Sequence, residues 1–378
     1  MTTIYLIRHA QAEGNLYRRC QGQYDSLVTP NGYRQIDALE RRFRDSHFDA
    51  VYSSDLFRTM TTAGAIYRPR GLSLRTDPRL REIGTGCWED HPWGDLLHRD
   101  ARSLLSFWRC DPAWQVPGSE TFPALQSRVC GAVERIASAH PGQTVAVVAH
   151  GTAIRSALAH WLCLPPDRIS QVPHGDNTCV ARLEYQNGKM TVCYYNDASH
   201  LPPELAQKPH KASQSDAELA EELGRASLYF RPLEPSDRQN LRLASHLSAC
   251  GKQESGGGDP LTPADALPGS LLIAMRGGQP VGLLRLDIRR QTDPGVGYIS
   301  ALCLTPEVRG NGLGVQLIGQ AVSTYRALDR QYLRLDCGAE NRQARRFFEK
   351  NGFYKVGEGQ NGAERFDTLE ACISHPRP

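Results

Sequence analysis

Thr144-Val145-Ala146-Val147-Val148-Ala149-His150-Gly151-Thr152 is the stretch from which the fold is read. An unbroken apolar run of strand length reads as a strand buried on both faces, the pattern of a parallel sheet covered by helices. Ile4-Tyr5-Leu6-Ile7 has the same form and runs into Arg8-His9. Two such neighbouring strands bring Arg8, His9 and His150 to their carboxyl ends, where open α/β sheets keep their ligand crevice.

Between these runs the sequence alternates strand and helix signals. Thr29 followed by Pro30 supplies a cap and a first-turn proline for a helix over 35–43. Phe48 to Ser53 reads as a strand, and Ser54-Asp55 as the cap of a helix carrying Arg58 in its first turn, where free amides and a guanidinium together suit an anion. A second helix, Ala153 to Trp161, starts at the same crevice. Arg8, His9, Arg58, Glu82 and His150 thus form a set of cations and imidazoles with one acid, the types needed to move a phosphoryl group.

Length and composition bound the rest. At 378 residues the chain is too long for one ordinary core, which favours two domains. The net charge of +3 is spread along the chain without a block of like charges, so neither nucleic acid nor a membrane is an expected partner. Eleven cysteines, scattered and without CxxC spacing, read as core thiols in a reducing cytoplasm. The amino terminus lacks the pattern of a secretion signal, and no run of 18 apolar residues occurs, so the sequence predicts a soluble, cytoplasmic protein.

A composition shift divides the chain. After a hairpin-like pair, Cys179 to Tyr185 and Met190 to Tyr195, residues 201–226 read as a linker, polar at first and closing in a short helix over 217–225. The first domain is therefore placed at 1–200 and the second at 227–378, starting with the strand-like Ser227 to Arg231. Gly256-Gly257-Gly258 reads as a loop inside the second domain.

Several motifs of the first half carry a family resemblance in a fixed order. They are Arg8-His9-Ala10, Asn15, Gly22-Gln23-Tyr24-Asp25 leading to Thr29 and Gly32, Ser54 to Thr59, Leu80-Arg81-Glu82 with Gly86-Cys87-Trp88-Glu89, and Ala149-His150-Gly151. This half resembles the histidine phosphatase superfamily, the phosphoglycerate mutase-like group, which implies a three-layer α/β/α fold. On that resemblance His9 is the nucleophile, with its second ring nitrogen tied to an acceptor. Arg8, Arg58 and a protonated His150 cradle the phosphoryl oxygens, and Glu82 exchanges protons with the leaving alcohol and with water. Asn15, Gln21, Gly22 and Gly151 are assigned to the substrate side, and no metal is required. Ala10, Ala12 and Leu27 depart from the family pattern outside the five central positions. The short length of this half and Cys20-Gln21-Gly22 favour a phosphatase over a mutase, the mutase remaining the alternative.

The second half has its own punctuation. A strand from Tyr298 to Leu304 leads through Thr305-Pro306-Glu307-Val308 into Arg309-Gly310-Asn311-Gly312-Leu313-Gly314 and a helix reaching Tyr325. A glycine-rich loop between strand and helix lets backbone amides approach a pyrophosphate. The absence of repeated βαβ units argues against a dinucleotide fold. A strand from Leu333 to Cys337, a helix opened by Asn341-Arg342-Gln343-Ala344 and a stop at Asn351-Gly352 follow.

Over about residues 227–375 this pattern resembles the GNAT acetyltransferases, an α/β fold with a mixed, splayed sheet. The resemblance implies acetyl-CoA as cofactor, its pyrophosphate on Arg309, Gly310, Asn311, Gly312 and Gly314, its pantetheine arm beside Leu302 and Leu304, and Asn341 lining the same groove. Phe348 stands where many members carry a tyrosine that reprotonates the thiolate; Tyr354, Tyr298 or water are the substitutes. The whole chain thus reads as a bifunctional enzyme acting on a small-molecule phosphate ester and an amine acceptor. The alternative is a phosphatase whose second half binds an acyl-CoA as a sensor.

Overall fold

The computed structural model describes residues 1–206, 215–234, 236–237, 269–289 and 293–375. Residues 207–214 of the expected linker and the Gly256-Gly257-Gly258 loop lie outside them. Contacts divide the chain into two units: Met1–Asn15, Cys20–His91 and Asp100–Ala220 form one, and Leu16–Arg19, Pro92–Arg99 and Glu221–Pro378 the other. Among the described residues the fold is mixed α/β, with one mixed sheet of six strands and another of seven.

The first sheet comprises β1 (Thr2–Arg8), β2 (Ala50–Ser53), β3 (Leu74–Thr76), β4 (Thr144–Ala149), β5 (Val180–Gln186) and β6 (Lys189–Asp197), in the order β3-β2-β4-β1-β5-β6. Strand β4 pairs in parallel with β1 and β2, and the β5-β6 hairpin closes one edge antiparallel. Ile4, Leu6 and Ile7 of β1 and every residue from Val145 to Ala149 are fully buried, so both faces of the centre are covered.

The helices of this half are α1 (Glu13–Leu16), α2 (Pro30–Arg42), α3 (Phe57–Tyr67), α4 (Trp93–Trp108), α5 (Phe122–Ala139) and α6 (Gly151–Trp161). Leu39, Ala63 and Ile66 of α2 and α3 share one core with Ile7, Val51, Ala146 and Val148. Thr29 caps α2 through its hydroxyl, which accepts from Gly32 N, with Pro30 in the first turn, as the sequence predicts. Helix α3 departs from expectation: its cap residue is Leu56, without a side-chain bond, and the Phe57 amide is taken by Asp25. Ser54 and Asp55 are engaged elsewhere.

Helix α7 (Asp216–Ala226) precedes the second sheet, formed by β7 (Tyr229–Pro232), β8 (Leu271–Arg276), β9 (Gln279–Leu286), β10 (Val296–Leu304), β11 (Tyr332–Gly338), β12 (Tyr354–Asn361) and β13 (Glu364–Cys372). Its order is β12-β13-β11-β10-β9-β8-β7. Helices α8 (Gly314–Arg326) and α9 (Arg342–Lys350) pack on one face, where Leu317, Ala321, Tyr325 and Phe348 join Ile299, Leu333, Leu335 and Leu369.

The central parallel pair of this sheet is short. Strands β10 and β11 are in register from Val296 opposite Tyr332 to Ile299 opposite Leu335, and there the pairing ends. Beyond it β10 continues against β9 past an irregularity at Ser300, while β11 continues against β13. The two strands part over Ala301–Leu304 and Asp336–Gly338, which is the splay the resemblance implies. Among the described residues no helix is long and apolar enough to cross a membrane.

Candidate active site

Parallel pairing of β1 with β4 sets Arg8 opposite Ala149, so the residues that follow, His9 and His150, stand side by side. Their ring centroids are 5.2 Å apart. His9 is 3 % exposed and His150 fully buried. The His9 Nδ1–H donates to the Ala10 carbonyl at 2.7 Å, which fixes the tautomer and leaves the lone pair on Nε2.

A chain of hydroxyls sets the His150 tautomer. Thr59 Oγ1 donates to the carbonyls of Leu56 (2.7 Å) and Ser54 (3.1 Å), so it accepts from Ser54 Oγ at 2.7 Å. Ser54 Oγ, its proton committed, accepts from His150 Nε2 at 2.8 Å. His150 Nδ1 is then the buried nitrogen without a protein partner. Burial first, then the Arg58 charge, holds the His150 pKa well below its usual value. Burial and the neighbouring arginine thus work against the protonated His150 expected from the sequence. Burial, Arg58 and Arg8 depress His9 in the same way.

Arg58 is fully buried in the first turn of α3, and burial pushes its pKa down to about 10, so it stays charged at neutral pH. Its two terminal nitrogens donate to Tyr24 O (2.7 Å) and Gly22 O (2.8 Å), while Nε has no partner. Arg8 donates through Nη1 to Gly175 O, and its buried Nε is likewise unpartnered. A Cβ on Gly151 would lie 3.1 Å from that Nε, so a bare residue there leaves room for the guanidinium.

Glu82 closes the start of α6. Its carboxylate accepts from Thr152 N (3.0 Å), Ala153 N (2.8 Å) and Ile83 N (3.0 Å). The helix start expected to face the pocket with free amides is thus partly filled by the acid. Next to it a polar cavity of about 500 Å³ is lined by Gln23, Gly84, Gly86, Glu89, Ser119 and Glu120, and Gln23 Nε2 donates to Glu82 O.

Of the residues picked from sequence, Arg8, His9, Arg58, Glu82, His150, Gly22 and Gly151 converge here. Asn15 Oδ1 accepts from Ala12 N at 3.0 Å and from Asn177 Nδ2 at 3.5 Å, and Gln21 Oε1 accepts from Ser26 Oγ at 2.7 Å. Sequence reasoning missed Ser54 as a partner of His150, Gly175 as the acceptor for Arg8, and Asn177, whose amide donates to His9 O at 2.9 Å. Ser54 was visible as a polar residue after a strand, but nothing in the order of residues ties 175 and 177 to the end of β1.

In the second unit, Gly310 and Gly312 have φ of +77° and +72°, a conformation that disfavours side chains, and a Cβ at either would meet only open space. Arg309 Nε donates to Leu304 O (2.7 Å), pinning the loop to the end of β10, and α8 starts without a side-chain cap. Gly314 lies against Phe347, a Cβ there falling 3.1 Å from the ring. Leu302 pairs with Leu284 of β9 on one side and faces the opening on the other. These features fit a coenzyme held by backbone. Asn341 caps α9, its Oδ1 accepting from Ala344 N at 3.0 Å. Phe348 is buried against Phe347 and Phe353. Tyr298 hydrogen-bonds Asp293, and Tyr354 donates to Glu370 at 3.1 Å.

Comparison with known proteins assigns a family to each half. The family model of the histidine phosphatase superfamily (branch 1) matches residues 4–198, and that of the acetyltransferase (GNAT) family matches residues 243–353. The chain belongs to the histidine phosphatase superfamily and carries a GNAT domain after it. Among particular relatives, "Probable phosphoglycerate mutase GpmB" of Yersinia pestis (strain Pestoides F) is 32 % identical over 186 residues, 49 % of this chain and 86 % of the relative. The solved structure of Bacillus stearothermophilus YhfR is 31 % identical, covers 53 % of this chain and 99 % of its own, and superposes with a TM-score of 0.51.

Proposed function

We propose that the first domain hydrolyses phosphate monoesters through a phosphohistidine on His9 Nε2. The observation that carries this reading is the trio of buried, unpartnered nitrogens around His9: Arg8 Nε, Arg58 Nε and His150 Nδ1. Buried polar atoms are rarely left unsatisfied, and two guanidinium donors with an imidazole that can take up a proton suit a phosphoryl group. On binding, the anion offsets the arginine charges and His150 Nδ1 is protonated, completing the cradle.

Glu82 protonates the leaving oxygen as the phosphorus–oxygen bond breaks. Three backbone amides stabilise the carboxylate so formed, which then takes a proton from the water that attacks phosphohistidine. Hydrolysis is preferred over intramolecular transfer on the short length of this half and on Cys20-Gln21-Gly22, although the Yersinia relative bears a mutase name. Phosphate release across a panel of esters, with phosphoryl exchange between hydroxyls measured alongside, tests this. Exchange outrunning release would favour the mutase.

For the second domain we propose acetyl-CoA binding and transfer of its acetyl group to an amine. Acetyl-CoA supplies the activated acyl group; Arg309 and the amides of residues 310–314 hold its pyrophosphate, and the parted β10 and β11 take its arm. One observation favours the sensor alternative: Phe348 lies in the core, so no phenol from that position reaches the sulfur. Calorimetry with acetyl-CoA beside an acetyl-transfer screen separates the two, binding without turnover favouring the sensor.

A further inference from the structure

The point at which β10 and β11 part has a feature that neither the coenzyme loop nor Phe348 explains. Asp336 is the first residue of β11 beyond the last paired position, Leu335. Burial alternates along the strand: Leu333, Leu335 and Cys337 enter the core under α8 and α9, so Arg334 and Asp336 belong to the opposite face. Asp336 is half-buried, stands opposite Thr368 of β13 and accepts its hydroxyl at 2.8 Å. It has no ion-pair partner among the described residues.

Its surroundings are acidic. On the same face Arg334 is bound to Glu370 of β13 and to Asp293, while Tyr298 of β10 bonds Asp293 and Tyr354 of β12 bonds Glu370. The one arginine of this group is thus shared by two acids, and Asp336 adds a third carboxylate at the open edge. A carboxylate left without a cation, at the mouth of a strand opening, is suited to an ammonium group.

We propose that Asp336 receives the acceptor amine of the second domain and is the base for its transfer. This rests on the reading that the parted strands seat acetyl-CoA. Asp336 first holds the ammonium. It then takes one proton from the ammonium, which frees the nitrogen lone pair to bond to the thioester carbonyl carbon. The nitrogen sheds its second proton as the carbon–sulfur electron pair leaves on sulfur; one of the two protons ends on that sulfur and the other passes through Asp336 to solvent. The acceptor is a cationic primary amine, and an acceptor whose amine lies beside a carboxylate is disfavoured.

D336N is the sharp probe, because asparagine is nearly isosteric and still accepts from Thr368, so a merely structural role would survive it. Putrescine, spermidine and glucosamine are titrated calorimetrically into the full chain, with and without coenzyme A. The wild type is expected to bind at least one of them, D336N to bind it about tenfold or more weakly, and D336E to stay within about threefold of wild type. Acetyl transfer to that amine should fall about a hundredfold or more in D336N, with loss of the acid limb of the kcat/KM profile. Equal amine affinity in wild type and D336N, or none in either, overturns the assignment. Failure of acetyl-CoA itself to bind the wild type would instead sink the coenzyme seat, and the amine titration without coenzyme keeps the two failures apart.

Discussion

Arg58 and Gly312 occupy comparable places, each at or just ahead of the first turn of a helix that follows a strand, and on the functions proposed above they would serve an anion in different ways. Arg58 is a buried cation fixed by two backbone carbonyls, with one nitrogen held in reserve. Gly312 contributes no side chain; its positive φ shapes the loop, and the proposed contacts fall to backbone amides. The first strategy stores charge in a dry place, so its function depends on a few irreplaceable side chains. The second stores geometry, so its function depends on backbone conformation and tolerates most side-chain changes that leave it alone.

The comparison breaks most readily at His9. His9→Ala should lower phosphate release by about a thousandfold or more and abolish acid-labile phosphate labelling, while acetyl-CoA binding in the same protein is unaffected. Appreciable residual turnover would show that the nucleophile lies elsewhere. Arg58→Met should cost about 10²- to 10³-fold in kcat, as for loss of one oriented donor. It should also lower stability, because the Gly22 and Tyr24 carbonyls lose their donor, by roughly 1–3 kcal/mol in urea unfolding.

On the other side, Gly312→Ala meets no steric obstacle yet must hold a left-handed backbone, a strain of about 1–2 kcal/mol. Acetyl-CoA affinity should drop about tenfold with phosphate release unchanged; wild-type affinity would mean that the loop is not shaped for the ligand. Phe348→Tyr sharpens the contrast further. In a catalyst lacking only its phenol this change should accelerate transfer, but here the hydroxyl enters a core of phenylalanines. A stability loss of roughly 1–3 kcal/mol without a rate gain is expected by thermal unfolding and turnover.

A last effect is in pH. His9 and His150 have depressed pKa values in the folded chain, so below about pH 6.5 the unfolded state binds protons that the folded state does not. Stability should therefore fall as pH drops from 7.5 to 5.5, by at most about 1.4 kcal/mol per pH unit for each histidine. The slope should flatten in His150→Gln, and urea midpoints read it directly.

Much of the first site was legible because its chemistry is carried by residue type at strand ends: two apolar runs place Arg8, His9 and His150 without knowledge of the fold. The bonds that tune those residues were not legible. Ser54 looked like a helix cap and turned out to fix an imidazole tautomer. Gly175 and Asn177 reach the end of β1 only through tertiary folding, and the charge state of His150 depends on burial that no local pattern encodes. In the second unit the glycine loop and the helix opened at Asn341 could be read from order alone. The exact residue at which β10 and β11 separate could not, since register is a property of two strands at once.

Glu82 ties the chemistry of the first site to the integrity of a helix. A carboxylate that accepts from Thr152 and Ala153 is a better stopper for the positive end of α6 than the neutral acid that must donate a proton. Each turnover would therefore loosen and retighten the first turn of the helix that follows His150. Amide exchange at Thr152 and Ala153 during turnover would then report on the proton cycle of an acid 70 residues away in sequence.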